Sequence, residues 1–390
     1  MTQSEKIIKP IIIGLAIFAM YFGAGNIAFP INMGRASGYH NNFAIIGMLI
    51  TSILIPFIGL ISLLIIKGDY QTFFGLLGKR VGFILSILIM GLIGPFGATP
   101  RCLALSYTTF NLYIKDMSSL EFGILGSVII FFFSYKKSYI VDLIGKFLTP
   151  ILLISLIIIL IVGTTNTYNM SYSVSQYSDK YCALIVGLQE GLNTMDLFAS
   201  FFFSIIVFPS LKDYIGSEEN LTPVNILKWS VVSSLIAMCL LSTIYYGMSF
   251  IASHDLVILR EVELSKQLGI IATYFLGQNA SILANLIVSL ACLTTAITLV
   301  VIFSEFIRKE IFFNKISYIL VLTATISTSL IMGQLGFTGL VVVLKPILFT
   351  LYPMLVVLSL CNIARVFFDF HHSAVICYLV FFITLFIKII

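Results

Sequence analysis

Charge is what this sequence lacks most. Asp, Glu, Lys and Arg make up 10% of its 390 residues, against roughly 25% in a soluble domain. The apolar share is 59% and the mean hydropathy is +1.08. A chain so poor in polar groups cannot cover its apolar surface in water, so the soluble domains that its length would allow are excluded and lipid is the required solvent. Histidine is scarce too: His40, His254, His371 and His372 all fall in loops or at helix ends. With no nucleophile–base set and no metal-ligand cluster inside a span, nothing indicates a membrane enzyme. The six cysteines (Cys102, Cys182, Cys239, Cys292, Cys361, Cys377) form no CxxC pair, which argues against a disulfide framework or a zinc site. No GxxxxGK[ST] loop is present, so ATP is not the energy source through this chain. Repeated filter motifs and charge rings are missing, which disfavours a channel. There is no cleavable signal pattern, because the first apolar run, from Ile11, is too long and lacks a small-residue cleavage site. The net charge of +5 sits in loops between apolar runs. It reads as a topology signal rather than as a nucleic-acid surface.

What is present is a series of long apolar runs. A spanning helix needs about 20 mainly apolar residues. Eleven runs qualify: 10–33, 43–66, 82–112, 118–134, 143–163, 183–209, 226–252, 280–307, 316–333, 338–361 and 373–390. Two polar connections are longer, 164–182 and 253–279, and the second is able to form a surface helix. With the N-terminus placed in the cytoplasm, fourteen basic residues fall on the inside (Lys6, Lys9, Lys67, Lys79, Arg80, Lys136, Lys137, Lys146, Lys212, Lys228, Arg308, Lys309, Lys315, Arg365) and six outside (Arg35, Lys115, Lys180, Arg260, Lys266, Lys388). The positive-inside rule selects that orientation. Arg101 and Lys345 are left at membrane depth.

Two runs are interrupted by residues that do not suit a continuous helix. The first contains Phe22-Gly23-Ala24-Gly25-Asn26-Ile27-Ala28-Phe29-Pro30. Glycine tolerates conformations closed to other residues and proline removes a backbone donor. Backbone groups freed in lipid must line a cavity or be buried in protein. The other reading of such small residues is close helix packing. The sixth run carries Glu190-Gly191-Leu192-Asn193-Thr194-Met195-Asp196-Leu197, with two carboxylates at or near membrane depth. Both interrupted runs hold a Gly, an Asn and a later Phe-Pro pair, and they lie five spans apart. Interrupted helices at corresponding positions of two halves point to an inverted repeat around a central site. The eighth run contains Ala291-Cys292-Leu293-Thr294-Thr295-Ala296 and then Glu305. Its adjacent hydroxyls suit a small hard cation, or bond back to their own helix.

Together these residues resemble the branched-chain amino acid:cation symporters of bacteria (the BrnQ type), over nearly the whole chain. The strongest points are Phe22–Pro30, Gly94-Pro95-Phe96-Gly97-Ala98-Thr99-Pro100-Arg101, Thr194-Met195-Asp196, Ala291–Ala296 with Glu305, and Tyr352-Pro353. The resemblance implies the amino acid–polyamine–cation superfamily. The expected fold is then an all-α membrane protein with the five-plus-five inverted repeat of the leucine-transporter type. The whole chain, 1–390, is one transporter domain, with a first repeat over about 10–163, a second over about 183–361 and an extra helix at 373–390. It further implies a symporter in the bacterial cytoplasmic membrane that imports Leu, Ile and Val with Na+, favoured over H+, and without an organic cofactor. A permease of the same fold for another amino acid, a small amine or a nucleobase is the alternative. The family usually has twelve spans, one more than counted here.

The resemblance also implies residue roles. A sodium ion would lie between the first and eighth spans, held by the carbonyls of Ala19, Phe22 and Ala291 and the hydroxyls of Thr294 and Thr295. The substrate would contact Gly23, Ala24, Gly25, Asn26, Asn193 and Thr194, with its side chain near Phe198. Arg101, Glu190, Asp196 and Lys345 carry charge into the membrane. Arg101 or Lys345 would pair with Asp196, or one carboxylate would serve as a gate or proton site. A buried Lys345 could offer a titratable cation in place of an ion.

Overall fold

The computed structural model describes residues 3–112, 114–135, 149–216, 218–259, 262–277, 281–370 and 373–389. Lys136, Lys137, Lys146, Arg260, His371, His372 and the start of the expected fifth span lie outside them. Among the described residues the chain is helical apart from turns and one isolated bridge between Tyr172 and His254. Among the described residues, seven helical stretches are long and apolar enough to cross a membrane. Four shorter apolar helices, Ile8–Tyr21, Ser119–Ser134, Tyr318–Gly333 and Ser373–Phe386, accompany them.

The first span is split into α1 (Gln3–Tyr21) and α2 (Ala24–Ser37). The second runs from α3 (Asn41–Leu49) through a π-turn at Ile50–Leu54 into α4 (Ile55–Ile65). A π-turn leaves one carbonyl of the helical ladder displaced, and here the Thr51 carbonyl accepts the Tyr352 hydroxyl from a distant span. A short α5 (Tyr70–Gly75), capped by the Asp69 carboxylate, leads into α6 (Lys79–Ile93).

The third span differs from the single helix expected over 82–112. It breaks at Gly94, and α7 (Ala98–Phe110) starts anew after Gly97. Then come α8 (Ser119–Ser134) and α9 (Thr149–Thr167). The sixth span is split as expected, into α10 (Lys180–Leu192) and α11 (Asp196–Ile215). The chain continues through α12 (Pro223–Ala252), α13 (Gln267–Leu276), α14 (Ser281–Phe306), α15 (Tyr318–Gly333), α16 (Gly336–Phe368) and α17 (Ser373–Ile389). The helix foreseen in 253–279 is α13, which buries Leu268, Ile271 and Ala272.

The helices sort into two packed groups. α1 and α2 lie on α12, while α3 and α4 lie on α10 and α11. α7 and α8 pack on α14 and α15. The halves of the chain thus interleave, each span of the first half meeting a span of the second. The contact of α3 with α10 depends on small residues: a Cβ on Gly187 would fall 1.9 Å from the Ala44 carbonyl oxygen. Close backbone approach of this kind is how helices associate where lipid competes for every apolar face. Gly187→Ala is expected to cost about 1–3 kcal/mol by overpacking, read as a lower melting temperature of the detergent-solubilised protein. An unchanged melting temperature would mean that the two helices separate without penalty.

The polar connection before α10 folds over the ends of two spans. Tyr39 N–H donates to the Ser173 carbonyl at 3.2 Å, Ser173 N–H to Ser253 at 2.9 Å, and Gln176 N–H to Ala36 at 2.9 Å. It ties the C-terminal end of α2 to that of α12.

Candidate substrate and ion site

The break in the first span is built by its glycine and its asparagine. Phe22 N–H still bonds to the Phe18 carbonyl at 2.9 Å, closing α1. Gly23 is then extended (φ −123°, ψ −160°) and caps α2. Asn26 folds back so that its Oδ1 accepts Gly23 N–H at 3.1 Å. A Cβ on Gly23 would lie 3.0 Å from Thr295 Oγ1, so glycine is what lets α14 approach the break.

In the sixth span the break occupies Asn193, Thr194 and Met195. Met195 is left-handed (φ +68°), a conformation that costs a non-glycine residue energy and is concentrated at functional sites. Thr194 Oγ1 donates to the Gly191 carbonyl at 2.9 Å.

One polar cluster joins the two breaks to the seventh span. Asn26 Nδ2 donates to Asp196 Oδ2 at 2.7 Å and makes a short contact with the Tyr245 hydroxyl. The Tyr245 hydroxyl also donates to Asp196 Oδ2, at 3.4 Å. Asp196 is the first residue of α11 and is 4% exposed. A carboxylate there meets the positive end of the helix dipole. Buried polar groups at this depth need partners, and here each breaks an apolar helix stripe to reach the other.

A cavity opens at this junction. Gly23, Ala24, Gly25, Asn26, Thr194, Asp196, Arg101 and Thr295 line it, with an apolar wall that includes Met20, Ile93, Ala199 and Phe203. It offers about 30 Å³ to the centre of a water-sized sphere, room for a water or two. Arg101 enters from the first turns of α7, with its guanidinium carbon 5.6 Å from the Phe29 ring centre and 5.9 Å from that of Phe337. Its Nη1 donates to the Asn193 carbonyl at 2.8 Å.

Beside the cavity, oxygens of the first and eighth spans converge. Thr295 Oγ1 lies 3.4 Å from the Phe22 carbonyl oxygen, and Thr294 Oγ1 donates to Ala291 at 2.9 Å. All four residues are buried, as is Ala19, one turn before Phe22.

Three expectations are corrected. Arg101 and Asp196 form no ion pair among the described residues: the Asp196 carboxylate is taken by Asn26 and Tyr245, while the Arg101 guanidinium packs beside the Phe29 and Phe337 rings. Lys345 is not buried; it is exposed on α16, its ammonium 5.5 Å from the Phe349 ring centre. Phe198 is buried against Tyr352, with ring centres 6.1 Å apart, rather than lining the cavity. On α11 the face of Met195 and Asp196 continues to Ala199 and Phe203, and Phe198 points elsewhere. Glu190 stands behind the break and accepts from Asn193 Nδ2 at 3.1 Å. Tyr245 was not among the expected site residues, and neither was the break at 94–97 that starts α7. The Gly94-Pro95-Phe96-Gly97 run carried the signal for the second.

Residues 6–390 match the family described as branched-chain amino acid transport protein. The branched-chain amino acid permease BrnQ of Bacillus subtilis (strain 168) is 30% identical over 379 residues, 93% of this chain and 81% of that protein. A protein of Staphylococcus haemolyticus, provisionally named a branched-chain amino acid carrier, is 31% identical over 365 residues, 90% of this chain and 80% of that one. Among solved structures, inward-facing Mhp1 aligns with a TM-score of 0.64 at 15% identity, over 91% of this chain and 77% of that one. The Eremococcus coleocola manganese transporter aligns with a TM-score of 0.67 at 11% identity, over 98% and 86%. The fold is therefore the five-plus-five inverted repeat of the leucine-transporter type. The matching family model is that of a transport protein and the sequence relatives are permeases and carriers by name; this transporter, which is not an enzyme, belongs to the branched-chain amino acid transport protein family.

Proposed function

We propose that the chain is a secondary active symporter that imports leucine, isoleucine and valine with Na+ by alternating access. The observation that carries this reading is the meeting of both helix breaks at one cavity, with Thr295 of α14 reaching the Phe22 carbonyl at 3.4 Å. In this reading Na+ is a co-substrate held by the Ala19, Phe22 and Ala291 carbonyls and the Thr294 and Thr295 hydroxyls. These are hard oxygen donors from two different spans, and an ion between them links the spans. The ammonium of the amino acid takes the negative charge of Asp196. Its carboxylate lies in the same cavity, on the side that the N-terminal end of α2 faces, where the helix dipole favours an anion. The aliphatic side chain lies against Met20, Ile93, Ala199 and Phe203. One methylene is worth only about 1–3 kcal/mol in an apolar pocket, so the three branched-chain substrates share the site. The cavity must dilate to admit any of them, which is the movement that alternating access requires.

Repeats spanning about 10–163 and 183–361, with 373–390 outside the core, are part of the same reading. So is a cytoplasmic-membrane location with the N-terminus inside, supported by the fourteen-to-six bias of basic residues. Proton coupling is the second reading. It is favoured by Asp196, a buried carboxylate at the cavity whose hydrogen-bond partners are neutral.

The test is uptake of radiolabelled leucine into proteoliposomes under an imposed sodium or proton gradient, with unlabelled isoleucine, valine and alanine as competitors. Sodium-driven uptake that isoleucine and valine suppress, and alanine does not, is the expected result. Uptake driven only by a proton gradient would replace the ion while keeping the substrate. No uptake of any branched-chain amino acid would remove the substrate assignment.

A further inference from the structure

Arg101 is 2% exposed, sits within a membrane span and has no carboxylate partner among the described residues. A buried guanidinium is costly unless its charge and its donors are met. Only Nη1 is met, by the Asn193 carbonyl. Nε and Nη2 are both buried and have no hydrogen-bond partner among the described residues. The identity of these two atoms matters. Nη1 is the nitrogen on the Cδ side of the guanidinium, so Nε and Nη2 share the opposite edge. Two parallel N–H groups on one edge form the fork that grips a carboxylate with two hydrogen bonds.

The surroundings preserve that fork. Phe29 and Phe337 flank the guanidinium carbon at 5.6 and 5.9 Å; aromatic rings attract the cation and supply no oxygen acceptor for Nε or Nη2. The Asn193 carbonyl fixes the third corner from the break of the sixth span. The acids nearby are engaged elsewhere: Asp196 by Asn26 and Tyr245, Glu190 by Asn193. Arg101 also lines the cavity between the breaks. At the break itself, the Gly23 amide is already taken by Asn26 Oδ1, so the backbone end of α2 is partly closed to an incoming anion.

We propose that Arg101 is the receptor for the substrate carboxylate, gripping it through Nε and Nη2. This rests on the reading of the cavity as an amino-acid site and deepens it. The substrate is then held as a zwitterion, its carboxylate on Arg101 of α7 and its ammonium on Asp196 of α11. The two helices belong to the two packed groups of the fold, so a bound zwitterion bridges them.

The test measures binding of leucine, leucinamide and 4-methylpentanoate to the purified protein, from ligand-induced shifts in melting temperature and competition against labelled leucine. The comparison is made for the wild type, Arg101→Gln and Arg101→Lys, each checked for monodispersity. Wild type should bind leucine, bind 4-methylpentanoate more weakly and discriminate against leucinamide by at least about 100-fold, as expected for losing a bidentate charged contact. Arg101→Gln should lose leucine and 4-methylpentanoate affinity by a similar factor while leucinamide changes by less than about threefold. Arg101→Lys, a point charge without the fork, should fall between. Leucine affinity kept within twofold in Arg101→Gln would overturn the assignment. So would an equal loss for leucine and leucinamide, which would make Arg101 a partner of the protein's own Asp196. Should both variants aggregate, wild type that takes leucinamide as well as leucine overturns it alone. Wild type indifferent to leucine, isoleucine and valine would overturn the proposed substrate and this inference with it.

Discussion

Asp196→Ala is expected to abolish leucine uptake, with initial rates at least about 100-fold below wild type, while the protein still inserts and elutes as a single species. Two donors converge on this carboxylate: Asn26 Nδ2 at 2.7 Å and the Tyr245 hydroxyl at 3.4 Å. Hydrogen bonds to a charged group are worth about 1.5–3 kcal/mol each, and a stranded buried donor costs about 1–3 kcal/mol. Removing the carboxylate therefore loosens the tie between the first, sixth and seventh spans and removes the negative charge from the cavity. Asp196→Asn separates these effects. It restores an acceptor for Asn26 and Tyr245 but no charge, so it should recover stability and not uptake. Tyr245→Phe removes the longer and weaker of the two donors, at 3.4 Å, and leaves the charge, so a smaller loss of about threefold to tenfold is expected. The order of the three, measured as leucine uptake into proteoliposomes with stability measured beside it, carries the argument. Uptake by Asp196→Asn within about threefold of wild type would show that geometry alone matters and that the ammonium finds its charge elsewhere.

Much of this was readable in the chain because lipid makes polar residues conspicuous. Gly23, Gly25, Asn26 and Pro30 interrupt an apolar run, and Asn193, Thr194 and Asp196 interrupt another; close packing accounts for the small residues but not for the Asn, Thr and Asp side chains beside them. The break at Gly94–Gly97 was less conspicuous, since proline and glycine are tolerated inside transmembrane helices when neighbours satisfy the freed groups. Direction within the membrane was the part that hydropathy does not encode. Lys345 lies on α16, which is apolar on all sides, so nothing in its spacing says whether it faces the core or the surface. Phe198 fails for a related reason: the left-handed Met195 resets the phase of α11, and the side that faces the cavity follows from where the new helix begins. Tyr245 reads as one more apolar residue of its span. Only the fold, by bringing α12 against the Asn26–Asp196 pair, gives its hydroxyl a purpose.

The Thr294→Ala/Thr295→Ala double variant is expected to lose sodium activation, with leucine uptake in a sodium gradient falling to its level in sodium-free buffer. The two hydroxyls are not equivalent in the structure. Thr294 bonds within its own helix, to Ala291 at 2.9 Å, whereas Thr295 crosses to the Phe22 carbonyl at 3.4 Å. That long contact is weak by the usual geometry of hydroxyl donors, so a cation that draws both oxygens to itself costs little to accommodate. Thr295→Ala alone should raise the sodium concentration for half-maximal uptake by at least about tenfold, equivalent to about 1.4 kcal/mol, and Thr294→Ala by less. Thr295→Ser keeps the oxygen and should stay close to wild type. Thr298, on the same helix, donates to the Thr294 carbonyl at 2.9 Å; its alanine variant removes an intrahelical hydroxyl outside the oxygen set and should leave the sodium response in place. If the double variant keeps its sodium activation while Thr298→Ala loses it, the ion does not lie between α1 and α14, and coupling would pass to Asp196 and the proton.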